Sequence, residues 1–299
     1  NNLKVNSTTG YDSGILVENG TIVKSFKDHV KNFIKNNFLD KNITPLITGF
    51  DGISNGKRVT LGRSGSDQTA TFLSYALNAD AVYLLKDTKG VQTADPSIVE
   101  NSKNIQHLSY DMAMEADNIQ LEAIRYVKKD SIPLYIQYIE NPEIKTKVDY
   151  HCIVSGIKLI TGIENCIFFE VGEIMDQPGS EKEIFDAFFK YKINKEISLD
   201  TRNSVAFVLD SGLDKISSVI KELKDHSIKI QNCSLITIIG NIDRNNKQLF
   251  EDYTWEICEP LSSASWIKGS IVANMVVPRE KYKQVIKHLH KKFIEDVKN

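Results

Sequence analysis

Apolar residues recur along the chain at two different periods, and the alternation between them sets the order of predicted elements. Phe26, Val30, Phe33, Ile34 and Phe38 stand at helical spacing, which predicts a helix over 25–38. Ile43-Thr-Pro-Leu-Ile-Thr-Gly-Phe50 reads as a short buried strand running into a glycine turn, and 51–57, with Gly, Asn and Ser, as a hairpin-like loop. Thr60-Leu-Gly-Arg-Ser-Gly-Ser-Asp67 leads directly into the apolar-periodic stretch 70–77, and Ala81-Val-Tyr-Leu-Leu85 is a second strand. A helix over about 110–129 and a strand at 133–139 continue the alternation. Strand, glycine loop, helix and strand in succession imply an α/β layer architecture with a largely parallel sheet.

Beyond Asp149 the pattern changes. Short apolar runs at 157–160, 166–171, 205–209, 235–239 and 271–277 read as strands. Between and after them, 181–191, 216–225 and 280–297 read as helices. That order suggests two βαββαβ units of roughly 70 residues each. The last helix carries Tyr282, Val285, Ile286, Leu289, Phe293 and Val297 as one apolar stripe, with a Lys-rich solvated face opposite.

Charge and length narrow the classes. The 299 residues suit about two domains. The 37 Lys and Arg nearly balance the 39 Asp and Glu, and neither half of the chain is basic, which speaks against nucleic acid as main partner. No run approaches the roughly 20 apolar residues of a membrane span. The opening Asn-Asn-Leu-Lys is not a signal peptide and has no initiator Met, so the sequence is expected to start inside a longer chain. Cys152, Cys166, Cys233 and Cys258 lie far apart and read as reduced core residues of a cytosolic protein, and the six His form no metal pattern.

Two segments carry candidate chemistry. In 60–67, the small residues Gly62, Ser64, Gly65 and Ser66 let a ligand approach the backbone ahead of a helix N-terminus, a geometry suited to phosphate or carboxylate. Arg63 can grip a carboxylate bidentately, and Asp67 can orient an ammonium or hold reacting groups in line. The residues alone leave open a plainer role for Ser66 or Asp67 as the cap of that helix. Asp87-Thr-Lys-Gly-Val-Gln-Thr-Ala-Asp-Pro96 follows a strand, where open α/β sheets bind ligands, or is simply a turn.

Together these segments resemble an aspartate kinase of the amino acid kinase family. The match rests on Ile47-Thr-Gly-Phe50, Thr60–Asp67, Asp87–Pro96, Leu108-Ser-Tyr-Asp-Met-Ala113 and Ser131-Ile-Pro-Leu134, in the family's order. Residues 151–299 resemble the paired ACT domains that follow the kinase domain, with 193–210 and Ser234–Asn241 in the expected places. The resemblance implies a partial αβα sandwich over 1–150, followed by two ferredoxin-like ACT domains. It implies transfer of the ATP γ-phosphoryl group to the β-carboxylate of L-aspartate, with Mg²⁺, as the first step toward lysine, threonine and methionine. Arg63 and Ser66 would bind aspartate, Asp67 would be catalytic and Asp87 would sit by the nucleotide. A cytoplasmic homodimer paired through its ACT domains is implied, with lysine or threonine as effector.

The chain also departs from the family. It lacks the Lys-Phe-Gly-Gly-Thr-Ser and Phe-Gly-Ala-Lys-Val-Leu-His-Pro segments; Leu85-Lys86 stands for the usual Trp-Thr, Ser64-Gly65 for Gly-Gly, and Gln92 and Ser97 for Tyr and Arg. These losses fall on the nucleotide side, so weak ATP binding is expected unless Arg125, Lys128 or Lys129 substitutes. In the ACT pair the effector stretches read Met175–Glu181 and Asn194–Arg202, without the family's residues. The alternative reading is a catalytically degenerate homologue that senses an amino acid or regulates a partner. A kinase for glutamate or carbamate fits less well, because of the ACT pair.

Overall fold

The computed structural model describes residues 3–62, 64–116, 121–151, 156–172, 181–200, 204–209, 213–266 and 271–296. The chain divides into two units: 1–93 with 103–154, and 94–102 with 155–299.

In the first unit, β1 (Val5–Thr8) precedes the small hairpin β2 (Val17–Glu18) and β3 (Thr21–Ile22), and then α1 (Lys27–Asn37). Next come β4 (Thr44–Ile47) and the hairpin β5 (Asp51–Ser54) and β6 (Lys57–Thr60), turning at Asn55-Gly56. α2 (Gly65–Leu77), β7 (Val82–Lys86) and β8 (His107–Ser109) follow. α3 (Tyr110–Glu115), α4 (Leu121–Lys129), β9 (Leu134–Tyr138) and β10 (Lys145–Asp149) complete it.

β1 runs parallel to β4, while β7, β9, β10 and β8 form a sheet in that order. Within that sheet β7–β9 and β10–β8 are parallel and β9–β10 antiparallel, so the sheet is mixed rather than largely parallel. One expected helix is two: Ser109 caps α3 by accepting from the Met112 N–H, and Ala116 leaves the helix in an extended conformation.

The core of this unit joins Val30 and Ile34 of α1, Phe72 and Tyr75 of α2, and Tyr126 of α4 to Ile15, Val17, Ile22 and Leu61. Tyr126 donates its hydroxyl to the Ile22 carbonyl at 2.8 Å, so the ring is buried without an orphaned polar group. α2 is buried around most of its circumference and is the central helix. Along β7, Val82 and Leu84 are buried, while Tyr83 and Leu85 on the alternate face are exposed, as is Leu46 on β4. The sandwich is therefore partial, with helices over one face of these strands.

The second unit begins with β11 (Ile157–Gly172) and α5 (Lys182–Tyr191). β12 (Lys195–Asp200), β13 (Ser204–Leu209), α6 (Leu213–Glu222) and β14 (Ser227–Gly240) follow. α7 (Arg244–Trp255), β15 (Ser265–Trp266), β16 (Val272–Pro278) and α8 (Tyr282–His290) end it. The strands form one sheet in the order β12-β13-β11-β14-β16-β15.

Two predicted strands, 157–160 and 166–171, are a single 16-residue strand whose register with β14 slips between Ile163 and Cys166. The slip divides two ferredoxin-like halves. From 166 to 232 the chain makes a continuous βαββαβ unit cored by Phe169, Phe188, Phe207, Val219 and their neighbours. The other half takes its first strand from 157–163 and the rest from 233 onward, cored by Ile236, Phe250, Met275 and Val285. One unit is thus inserted in the other, rather than following it. The alternate faces of both halves, with Phe168, Val208, Leu235 and Val276, contribute to a third buried cluster.

Candidate active site

α2 starts where the glycine loop ends, and the helix start is the feature the sequence left ambiguous. The position before α2 is Ser64, left-handed at φ +55° and without a side-chain cap. Asp67 lies inside the first turn, so it is no N-cap. Its carboxylate, 9 % exposed, receives the Lys86 ammonium at 2.8 Å on each oxygen. Lys86 is the last residue of β7, so this pair ties the carboxyl end of a strand to the positive end of a helix.

The turn after β4 reaches the same place. A Cβ on Gly49 would sit 3.2 Å from the Ser66 Cα, and Thr69 Oγ1 accepts the Phe50 N–H at 3.2 Å. Phe50 is itself left-handed at φ +73°. With Ser64, this puts two non-glycine residues in a conformation costing about 1–2 kcal/mol each at one helix start. Gly65 serves packing rather than ligand approach: a Cβ there would lie 2.5 Å from the Leu61 Cβ and 2.7 Å from Phe50 Cδ2.

The sequence-predicted residues distribute as follows. Ser66 is exposed on the first turn of α2, Asp67 is buried beside it, and Asp87 is exposed immediately after Lys86. Arg63 lies outside the described residues. The loop beyond Asp87 divides: Ala94–Ser102 groups with the second unit, where Ala94, Ile98 and Val99 join the core. Of the expected substitute cations, Arg125 is paired with Glu122 at 2.6 Å and Lys128 with Asp111. Lys129 donates to the Tyr75 hydroxyl at 3.0 Å. All three are committed to partners, and it is Lys86, read from sequence only as a departure from Trp-Thr, that meets Asp67. A lysine at a strand's carboxyl end 19 residues after an acidic helix start is the signal that would have found it.

Sequence reasoning also missed Asp51. Its carboxylate is buried and accepts from the Gly10 and Tyr11 N–H groups at 3.1 and 3.3 Å, from Thr48 Oγ1 at 2.8 Å and from Arg58 Nε at 2.8 Å. This fully used carboxylate ties the loop after β1 to the turn after β4, and so braces the site without facing it. A further polar cluster closes β8 and β10. Burial opposes the charge of Asp149. Hydrogen bonds from Lys147, His107 and the His151 N–H outweigh that and hold its carboxyl down at about 2.

Of the effector stretches, 175–180 lies outside the described residues and Lys195–Asp200 forms the edge strand β12. Among the described residues no group of three or more His, Cys, Asp or Glu is placed to hold a metal. Cys166 and Cys233 are buried partners across β11 and β14, and burial pushes the Cys233 thiol up to about 12; Cys152 lies outside the described residues. No described helix is long and apolar enough to cross a membrane.

Residues 3–137 match the Amino acid kinase family. An aspartokinase of Corynebacterium glutamicum is 30% identical over 215 residues, covering 67% of this chain and 50% of that protein. The chloroplastic aspartokinase 1 of Arabidopsis thaliana is 23% identical over 302 residues, covering 93% and 53%. The chain spans about half the length of the curated relatives it matches. Clostridium acetobutylicum aspartate kinase superposes with a TM-score of 0.80 at 25% identity, over 96% of this chain and 70% of that one. E. coli aspartokinase III in complex with aspartate and ADP gives 0.82 at 19% identity, over 97% and 70%. With the amino acid kinase match over 3–137 and the similarity to aspartokinases along nearly its whole length, the chain is aspartokinase-like.

Proposed function

We propose that this protein acts as an aspartate kinase, with 1–150 contributing the catalytic part and 151–299 the paired regulatory ACT domains. The observation that carries the reading is the first turn of α2: an exposed hydroxyl, a buried carboxylate and a lysine gathered at the carboxyl ends of β4 and β7. The E. coli neighbour, whose fold this chain shares, was solved with aspartate and ADP.

In this reading Arg63 and Ser66 hold L-aspartate. One oxygen of its β-carboxylate attacks the γ-phosphorus of ATP, and a new P–O bond forms as the bond to the β,γ-bridging oxygen breaks. The electron pair leaves with ADP. The nucleophile is already anionic, so the step needs no general base. The protein's work is positioning and charge neutralisation. Asp67 orients the cationic groups around the transfer, and the exposed carboxylate of Asp87 stands at the nucleotide end. Mg²⁺, when bound, would offset phosphate charge there, held by one carboxylate and the phosphates themselves.

The second unit supports amino acid feedback by lysine or threonine through its two ferredoxin-like halves. The sheet's edge strand β12 is available for pairing with a second copy in a homodimer. Such an enzyme would work in the cytoplasm, at the first step toward lysine, threonine and methionine. The test is to trap acyl phosphate with hydroxylamine after incubation with Mg-ATP. Hydroxamate is expected with L-aspartate and roughly tenfold or more below that with L-glutamate, one methylene longer. Equal yields, or none with either, would defeat the proposal.

A further inference from the structure

We infer that Lys86 is the cation that meets the ATP phosphates, with Asp67 acting as the residue that positions it. The inference rests on the kinase reading of this site and adds to it a residue outside the aspartate-kinase pattern. Lys86 Nζ lies 2.8 Å from both oxygens of Asp67, which employs two of its three N–H donors and leaves the third for another acceptor. The carboxylate is 9 % exposed and the lysine 30 %, so the pair presents its positive member outward. That member stands at the end of β7, against the first turn of α2, where an anion also meets the helix N-terminus.

Three other cations of this unit are engaged elsewhere: Arg58 with Asp51, Arg125 with Glu122, Lys128 with Asp111. A flexible ammonium fixed at two points by a buried carboxylate is pre-oriented, so its remaining donor is offered to a phosphate oxygen at low entropic cost. In the transfer, Lys86 stabilises charge on the non-bridging oxygens of the migrating phosphoryl group as the bond to ADP breaks. The lysine gains and loses no proton. Asp67 touches no reacting atom in this scheme and acts through Lys86.

The experiment measures Mg-ATP and L-aspartate binding by calorimetry on the full chain. Removing Lys86 alone strands a buried carboxylate and threatens folding, so Lys86→Met is paired with the double variant Asp67→Asn/Lys86→Met, in which no charge is left unpaired. Both are expected to weaken Mg-ATP binding by roughly 10–100-fold, the worth of one hydrogen bond to a charged group. Aspartate binding is expected to stay within about threefold, and Lys86→Arg to retain ATP binding within about tenfold. Lys57→Met, on the exposed β6 strand, should change neither.

A folded double variant that binds Mg-ATP like the unaltered chain would overturn the inference and leave Lys86 a structural counter-ion. Failure of the unaltered chain to bind Mg-ATP would overturn it equally. Aspartate bound normally beside a folded double variant that keeps Mg-ATP binding would leave the kinase reading standing, whereas failure of the unaltered chain to bind either Mg-ATP or aspartate would remove that reading itself.

Discussion

At the scale of single residues, the chain shows carboxylates used in three ways. Asp51 is saturated by four donors and braces two loops; Asp67 is buried against one lysine; Asp149 is held ionised by two side chains and a backbone N–H. Asp149 has a consequence for acid stability. Its folded value is depressed, from an ordinary carboxylate near 3.9 to about 2, so its contribution is present above pH 4. It is lost as pH falls from 4 through 2, and amounts to about 2–3 kcal/mol. Asp149→Asn should therefore lower stability at pH 7 by roughly that amount and flatten the acid limb between pH 4 and 2. Denaturant titrations at a series of pH values check this, and an acid limb unchanged in the variant would contradict it.

Residue types at the site were readable in part. The run Arg63, Ser66, Asp67 stood out because small residues precede a helix, but neither the cap position at Ser64 nor the partner of Asp67 could be read. Left-handed serine is rare enough that the pattern points to Ser66 or Asp67 as cap instead. The partner is 19 residues away, in a strand whose apolar run had seemed to end at Leu85. Lys86 extends that strand because its backbone continues the ladder beside Tyr138 while its side-chain charge reaches Asp67.

At the scale of elements, periodicity located most helices and strands and failed where tertiary context governs. α7 went unread because Arg244-Asn-Asn-Lys-Gln248 has no apolar stripe. It forms because Asp243 caps it, accepting the Asn246 N–H at 2.7 Å, and because Phe250 is fully buried. β11 was read as two strands because Thr161–Asn165 looks polar, yet that stretch is where the strand passes from one ferredoxin-like half to the other. Gly162 marks the crossing: a Cβ there would lie 2.1 Å from the Leu235 carbonyl oxygen.

Two long strands shared by both halves have an energetic consequence. Phe207, in the inserted half, and Phe250, in the interrupted half, are both fully buried. Phe207→Ala and Phe250→Ala should each cost about 3–5 kcal/mol. Because β11 and β14 run through both halves, each variant should shift one common transition. Scanning calorimetry that resolves a separate transition for either half in either variant would contradict this coupling.

At the scale of the whole molecule, the α/β-then-ferredoxin-like order was legible from the change of pattern near Asp149, and the family from short motifs in the right sequence. The nesting of the two halves was not, since apolar runs record which residues are buried but not which strand they pair with. Nor did the motifs disclose that Ala94–Ser102 leaves the first unit for the second unit's core. The functional account rests on the first turn of α2, and Arg63 is the residue through which it is most directly exposed to test. ADP release should be followed with Mg-ATP, with and without L-aspartate, in the unaltered chain and in Arg63→Ala. The account predicts release only when aspartate is present, and an aspartate requirement raised roughly 10–100-fold by the variant, the loss of a charge-assisted bidentate contact. Release independent of aspartate, or an aspartate dependence indifferent to Arg63→Ala, would contradict it.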